Sequence, residues 1–326
     1  MAKVTYGGQS YECGSNSVLD CLITHGISVP SSCHSGLCQS CLMRAVKGTV
    51  PEKAKAGLKP TLAAQNYFMS CSCYPEQDIE VVLPDSGMGK LAAKVTKVEF
   101  LNDDILGIRL KPSRPFEYRA GQFISLYKDE TTARCYSLAS VPDLSEELFL
   151  NVRRVPGGLV SGWLFAKLRA GDEVTISEAT GDCFYVPGNP DQNILLIATG
   201  CGLAPLYGIV RDALLHNHQG KLSLFHGSND KNGFYLVKEL RRLEQTHANF
   251  SYVPCISDGE SPAGYASGMV LDVALAEYPD LSNWRVFLCG NPEMVKAAKK
   301  QTFFAGASMS EIHVDPFQSA YSTGIC

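Results

Sequence analysis

Three cysteines, Cys33, Cys38 and Cys41, stand as C-x4-C-x2-C in the run Ser31-Ser32-Cys33-His34-Ser35-Gly36-Leu37-Cys38-Gln39-Ser40-Cys41. No other feature restricts the local fold so strongly. A tight loop at this spacing must aim several thiols at one point. The small residues Ser32, Ser35, Gly36 and Ser40 leave backbone N–H groups free to approach whatever the sulfurs hold. The chain has 13 cysteines, an odd number, spread over 326 residues. Its start, Met1-Ala2-Lys3-Val4-Thr5-Tyr6, lacks the apolar stretch of a signal peptide. A cytoplasmic protein is therefore expected, a disulfide framework is not, and clustered cysteines read as metal ligands. Cys13, Cys21, Cys135, Cys183 and Cys255 read most simply as buried small hydrophobes.

The spacing is that of plant-type [2Fe–2S] sites, in which two irons require four thiolates. Cys33, Cys38 and Cys41 supply three, and either Cys71 or Cys73 in Met69-Ser70-Cys71-Ser72-Cys73-Tyr74-Pro75 supplies the fourth. A structural zinc site is the competing reading. Zinc favours two close cysteine pairs, and here Cys38 and Cys41 form one.

Length predicts two or three domains. The net charge of −4, with no basic run, argues against nucleic acid as a partner. The uncharged stretch from Ile194 to Val210 falls short of the roughly 18 residues of a membrane span. Gly200, Gly202 and Pro205 interrupt it, so it reads as a strand, a glycine loop and a helix start, and no membrane span is expected.

Three segments separate by pattern. Residues 1–85 open with strands at Lys3–Tyr6 and Gln9–Cys13 joined by Gly7-Gly8, a hairpin signal. Ser15 or Ser17 then caps a helix carrying Val18, Leu19, Leu22 and Ile23 on one face and stopping at Gly26. Ile79–Leu83 reads as a closing strand, and residues 84–90 as a linker. Residues 91–188 hold strands at Ala93–Phe100, Ile105–Leu110, Phe123–Tyr127, Leu148–Val152 and Val174–Ile176, with one helix near Val160–Leu168, a small-barrel pattern. From 191 to 326 strands alternate with helices: strands at Asn193–Ala198, Leu222–His226, Phe250–Val253 and Arg285–Cys289, helices at Ala204–His216, Leu236–Thr246, Gly268–Glu277 and Pro292–Phe304. This alternation predicts a parallel sheet wrapped by helices.

Four further runs carry chemistry. Arg134-Cys135-Tyr136-Ser137 follows a predicted strand, and alone is a weak motif. Gly157-Gly158-Leu159-Val160-Ser161, taken alone, is an ordinary turn with a serine cap. Thr199-Gly200-Cys201-Gly202-Leu203-Ala204-Pro205 joins a strand to a helix, as in a dinucleotide phosphate site. Its Pro205 is tolerated in the first helical turn. Leu288-Cys289-Gly290-Asn291-Pro292-Glu293-Met294 ends a strand at the carboxyl edge, where such sheets bind ligands.

Together these runs resemble, in order, the plant-type ferredoxins and the ferredoxin–NADP reductase family. The chain is similar to the reductase components of multicomponent bacterial oxygenases along nearly its whole length. The resemblance implies a multidomain α+β protein: a β-grasp ferredoxin domain, an antiparallel β-barrel FAD domain, and a C-terminal α/β nucleotide-binding domain with a parallel sheet. It implies Cys71 as the fourth ligand, because 29 residues separate it from Cys41. His34 departs from the arginine common in that family. It implies FAD held by Arg134 at phosphate, Tyr136 at the ring and Ser137 near the atom that accepts hydride, with Gly158 and Ser161 at the pyrophosphate. Gly200, Gly202 and Pro205 would hold the nicotinamide dinucleotide, and Cys289 with Gly290 would lie beside the nicotinamide. Phe317 matches the family's terminal aromatic, with Tyr321 as its rival.

The implied activity takes electrons from NAD(P)H through FAD to a [2Fe–2S] cluster and on to a partner oxygenase, hydroxylase or ferredoxin. Cofactors carry the chemistry, with Ser137, Cys289 and Phe317 at the hydride-transfer site. At the second strand end, His226-Gly227-Ser228-Asn229-Asp230-Lys231, no arginine is offered to a 2′-phosphate and Asp230 would repel one, which favours NADH. Lys231, Arg241 and Arg242 keep NADPH open. Service to a deoxysugar dehydratase and a free-standing flavin or ferric reductase are the alternatives.

Overall fold

The computed structural model describes residues 2–31, 39–84, 89–130, 132–259 and 261–317. Cys33, Cys38 and Tyr321 lie outside them. The chain divides into two compact units, Met1–Met88 and Gly89–Cys326.

The first unit holds strands β1 (Lys3–Tyr6), β2 (Gln9–Glu12), β3 (Leu42–Lys47), β4 (Tyr67–Met69) and β5 (Ile79–Val82), with helices α1 (Val18–Thr24) and α2 (Pro60–Ala64). The sheet order is β2-β1-β5-β3-β4. The segment expected to close the unit is thus its central strand, parallel to β1 and antiparallel to β3. This mixed sheet packed on α1 is the β-grasp arrangement. Ser17 caps α1: its Oγ accepts from the Asp20 N–H at 3.1 Å and donates to the Asp20 carboxylate at 2.6 Å. Val18, Leu19 and Leu22 are buried as the helical spacing requires, whereas Ile23 is exposed because the short helix shows its fourth apolar residue to solvent.

Cys13 and Cys21 are joined by a disulfide, contrary to the expectation of free thiols. The end of β2 and the middle of α1 bring their Cα atoms to 5.1 Å, inside bridging range. Cys135 is exposed, also against expectation, because strand alternation turns it to the outer face. Cys183 and Cys255 are buried free thiols.

The second unit begins with an antiparallel sheet of β6 (Lys90–Asn102), β7 (Ile105–Pro112), β8 (Phe123–Tyr127), β9 (Ala133–Ser137), β10 (Leu148–Arg153) and β11 (Glu173–Ser177), in the order β10-β7-β6-β11-β8-β9. A bridge between Leu138 and Leu150 joins the two edges and closes a barrel. Helix α3 (Leu159–Lys167) buries Val160 and Leu164 against its core.

A parallel sheet follows: β12 (Ile194–Thr199), β13 (Leu222–Ser228), β14 (Phe250–Ile256), β15 (Ala266–Ser267), β16 (Arg285–Gly290) and β17 (Ile312–Pro316), in the order β15-β14-β13-β12-β16-β17. Helices α4 (Leu203–Leu215), α5 (Val237–Thr246), α6 (Val270–Glu277) and α7 (Pro292–Phe304) wrap it. Successive strands step outward from β12 to β15, and β16 returns to the other side of β12. The gap between the carboxyl ends of β12 and β16 is therefore a topological switch point, where open α/β sheets take their ligands. No helix among the described residues is long and apolar enough to cross a membrane.

Candidate cofactor and nucleotide sites

In the first unit, antiparallel pairing of Leu42 with Met69 sets the start of β3 beside the end of β4. The residues just outside that pair meet. The Ser70 N–H and hydroxyl both donate to the Cys41 carbonyl, at 3.1 and 2.8 Å. The Cys41 and Cys71 sulfurs lie 3.3 Å apart and are buried. Two unbonded, buried thiols this close fit two ligands of one metal centre. Cys73 instead sits where its carbonyl accepts from the Val18 N–H of α1, and burial pushes its thiol up to about 12.

In the barrel, β8 positions β9 through the pairs Phe123–Ser137 and Leu126–Arg134. Arg134 turns one guanidinium N–H to the Ala133 carbonyl at 2.7 Å. Tyr136 is half-buried, and burial raises its phenol. Ser161 accepts from the Val155 N–H at 3.2 Å and Gly158 N–H donates to the Val155 carbonyl at 2.9 Å, so the serine hydroxyl ties the turn ahead of α3. Beside this turn opens a cleft of about 600 Å³. Lys128, Arg154 and Lys167 bring three cations to it, Trp163 brings an aromatic face, and Gly157 and Gly158 complete its floor. Cations for a pyrophosphate, a ring for a base and the helix start of α3 fit the dinucleotide end of FAD.

At the switch point, Gly200, Cys201 and Gly202 form a 3₁₀ turn between β12 and α4. A Cβ on Gly202 would collide with the backbone of Cys289 and Gly290, so a side chain is excluded where the two loops cross. Thr199 Oγ1 accepts from the Asn291 N–H at 2.9 Å, and Asn291 in turn caps α7 at the N–H groups of Glu293 and Met294. Pro205 is buried in the first turn of α4. The Arg153 guanidinium, at the end of β10, comes within 3.2 Å of the space a Cβ on Gly200 would occupy. It is exposed and makes no hydrogen bond or ion pair among the described residues. The Asp230 carboxylate accepts from the Asn232 N–H at 2.7 Å, capping the turn beyond β13.

The barrel and the parallel sheet meet beside the switch point. The Ser137 hydroxyl donates to the Asp315 carboxylate at 3.0 Å. Asp315 pairs in register with Cys289 across β17 and β16, and the Phe317 N–H donates to the Gly290 carbonyl at 2.7 Å. Ser137, Cys289, Gly290 and Phe317, singled out from three separate motifs, are thus brought to one place. Asp315 was missed by sequence reasoning; its signal was its place two residues before Phe317. Burial raises its carboxyl to about 6, the Ser137 hydrogen bond opposes the rise, and the charge of Asp182 adds to it. Cys289 is fully buried, which holds its thiol well above the ordinary cysteine value.

Comparison with known proteins agrees with this arrangement. Residues 4–76 match the 2Fe-2S iron-sulfur cluster binding domain, 92–185 the oxidoreductase FAD-binding domain and 196–300 the oxidoreductase NAD-binding domain. The reductase subunit of an aromatic O-demethylase from Amycolatopsis sp. is 32% identical over 97% of this chain and 98% of its own. The reductase component of the naphthalene 1,2-dioxygenase system from Pseudomonas putida is 29% identical over 94% of each. The crystal structure of the Amycolatopsis cytochrome P450 reductase GcoB superposes with a TM-score of 0.69 at 31% identity, covering 98% of this chain and all of that one. The chain belongs to the family of iron–sulfur flavoprotein reductases that serve as reductase components of multicomponent bacterial oxygenases.

Proposed function

We propose that this chain supplies electrons from NADH to a terminal oxygenase or hydroxylase acting on an aromatic compound, working in the cytoplasm, where NADH is made and consumed. FAD, when bound, would supply the conversion of a two-electron hydride donor into single electrons, and the [2Fe–2S] cluster would supply the one-electron exit toward the partner protein. The aromatic substrate class rests on the relatives, whose names are those of an aromatic O-demethylase and a naphthalene dioxygenase system. The observation that carries the reading is the meeting of Ser137, Cys289, Asp315 and Phe317 where the barrel faces the switch point.

The residue roles are assigned in keeping with that reading, those of Cys33 and Cys38 from their sequence spacing. Cys33, Cys38, Cys41 and Cys71 hold the cluster within residues 1–85. Within 91–188, Arg134 and Tyr136 flank the flavin, Ser137 presents its hydroxyl at the reacting edge, and Gly158 and Ser161 shape the pyrophosphate turn. Within 191–326, Gly200, Gly202 and Pro205 form the phosphate loop, and Cys289 and Gly290 border the nicotinamide. Phe317 would be the terminal aromatic near the flavin. Asp230, exposed at the end of β13, favours a ribose hydroxyl over a 2′-phosphate there, and so NADH over NADPH.

Anaerobic titration with NADH, followed in the visible spectrum and by EPR, tests the electron path. Flavin bleaching with a reduced [2Fe–2S] signal is expected. Protein that takes up no electrons from either NADH or NADPH would overturn the reading. Reconstitution with an aromatic-ring oxygenase, and separately with a deoxysugar dehydratase, then identifies the partner class. A dehydratase reductase from Yersinia pestis is 28% identical over 93% of the chain, so both partners belong in that test.

A further inference from the structure

Cys183 lies in the segment that leaves the barrel after β11, and Cys289 at the end of β16 in the parallel sheet. Their sulfurs are 3.7 Å apart, they are not bonded, and both side chains are buried. The contact spans 106 residues of sequence and crosses from the flavin-binding part of the unit to the nucleotide-binding part.

We infer that Cys183 is a positioning residue, which sets the direction of the Cys289 thiol through an S–H···S contact and so orients the sulfur that borders the nicotinamide. The inference rests on the reading that Cys289 touches the nicotinamide. A cysteine side chain has three staggered positions, and nothing covalent selects one. The Cys289 thiol has two polar neighbours, the Asp315 backbone on the adjoining strand and the facing sulfur of Cys183, and Cys183 is the one whose side chain comes from the barrel. Cys183 can do so because its segment packs closely against the strand entry at Gly121. A Cβ on Gly121, at φ +100, would collide with the Cys183 carbonyl, so the strand entry at Gly121 and the Cys183 segment lie against each other. The adjoining Phe184 and Tyr185 are buried. The thiol of one domain is therefore oriented by a residue of the other, and the orientation holds while the two stay packed.

Burial keeps Cys289 protonated, so its thiol can donate to the Cys183 sulfur in a weak, directional contact. Its effect falls on the geometry of hydride transfer and leaves dinucleotide affinity, set at the phosphate loop, unchanged. Small misplacements at a reacting centre lower rate more than binding.

The test uses FAD-loaded, full-length protein and stopped-flow reduction by NADH. Cys183→Ala is expected to lower the limiting rate of flavin reduction on the order of tenfold, with the NADH dissociation constant and FAD content unchanged. Cys183→Ser, which restores an O–H donor, is expected to recover most of the rate. The S–H stretching band of Cys289 in the infrared is expected to shift in Cys183→Ala, a change that loss of packing alone would not produce. A wild-type rate in Cys183→Ala alongside a slowed Cys289→Ala would overturn the inference while leaving the nicotinamide reading intact. A wild-type rate in Cys289→Ala would overturn that reading, and the inference with it. Equal slowing in Cys183→Ala and Cys183→Ser with an unmoved S–H band would assign Cys183 to packing and also overturn the inference.

Discussion

Ser137 and Asp315 are separated by 178 residues, yet the serine hydroxyl donates to the carboxylate at 3.0 Å across the seam between barrel and parallel sheet. Each is placed by its own strand: Ser137 by the pairing of β9 with β8, Asp315 by the pairing of β17 with β16. The bond therefore exists because two sheets are packed together, and it sets a titratable group beside the edge proposed for hydride transfer.

That group predicts a pH dependence. The Asp315 carboxyl is raised by burial from 3.8 to about 6. Between those values the folded chain holds a proton that the unfolded chain has released. The group's contribution to stability is thus fully present below about 4 and lost as pH rises through about 6. Asp315→Asn should flatten this part of the dependence of melting temperature on pH. The same titration should appear in flavin reduction. Hydride loss leaves the nicotinamide positively charged, so an ionised Asp315 favours transfer, and the wild-type rate should climb through pH 6. Asp315→Asn should lose that limb and run slower on the order of tenfold above it. A rate that climbs identically in both proteins would show that another group titrates.

The neighbouring thiols of the first unit predict a split between two adjacent cysteines. Cys71 meets Cys41 at 3.3 Å, while the Cys73 carbonyl is engaged by α1. Cys71→Ser should abolish the EPR signal of the reduced cluster, and Cys73→Ser should retain it. Cys38→Ala should keep flavin reduction by NADH but lose electron delivery to protein acceptors. Normal delivery in Cys38→Ala would mean that electrons leave from the flavin directly.

Asp230 predicts the coenzyme preference. One carboxylate oxygen accepts from the Asn232 N–H at 2.7 Å, so the residue both caps a turn and carries a charge. Asp230→Asn keeps an oxygen acceptor for the cap and removes the charge. Wild-type kcat/KM should be higher with NADH than with NADPH. The substitution should narrow that ratio by roughly tenfold at low ionic strength, with a smaller change at high salt, because the repelled 2′-phosphate is screened there. An unchanged ratio would place the 2′ position away from the end of β13.

How far these sites could be read beforehand depended on the elements that carry them. Helix α7 could be placed from Pro292 to Phe304 because a proline opens it and an apolar stripe at helical spacing continues it. Strand β9 was missed because Arg134, Tyr136 and Ser137 read as a motif and give no apolar alternation. Strand β17 was missed because His313, Asp315 and Pro316 are poor strand formers and pair with a strand already fixed by the core. With it went Asp315. The Cys13–Cys21 bridge and the Cys183–Cys289 contact depend on which segments pack together, and isolated cysteines carry no mark of their partner. The glycine loops were legible because close backbone approach excludes other residues, as Gly202 illustrates.

Arg153 carries a final prediction, and it concerns binding alone. Its guanidinium belongs to the barrel but lies against the Gly200 end of the phosphate loop, with no carboxylate neutralising it among the described residues. A permanently charged planar fork at that position complements the pyrophosphate of a dinucleotide seated at the start of α4. The contact would be the same before and during hydride transfer, so removing it weakens ground state and transition state alike. Arg153→Gln should therefore raise the NADH dissociation constant by about tenfold while leaving the limiting rate of flavin reduction within about twofold. Arg153→Lys should fall between, since a point charge keeps the attraction without the fork. ADP-ribose, which has the pyrophosphate but no nicotinamide, should lose affinity for Arg153→Gln to the same extent as NADH. If ADP-ribose binding is unaffected while FAD content drops, Arg153 serves the flavin pyrophosphate instead.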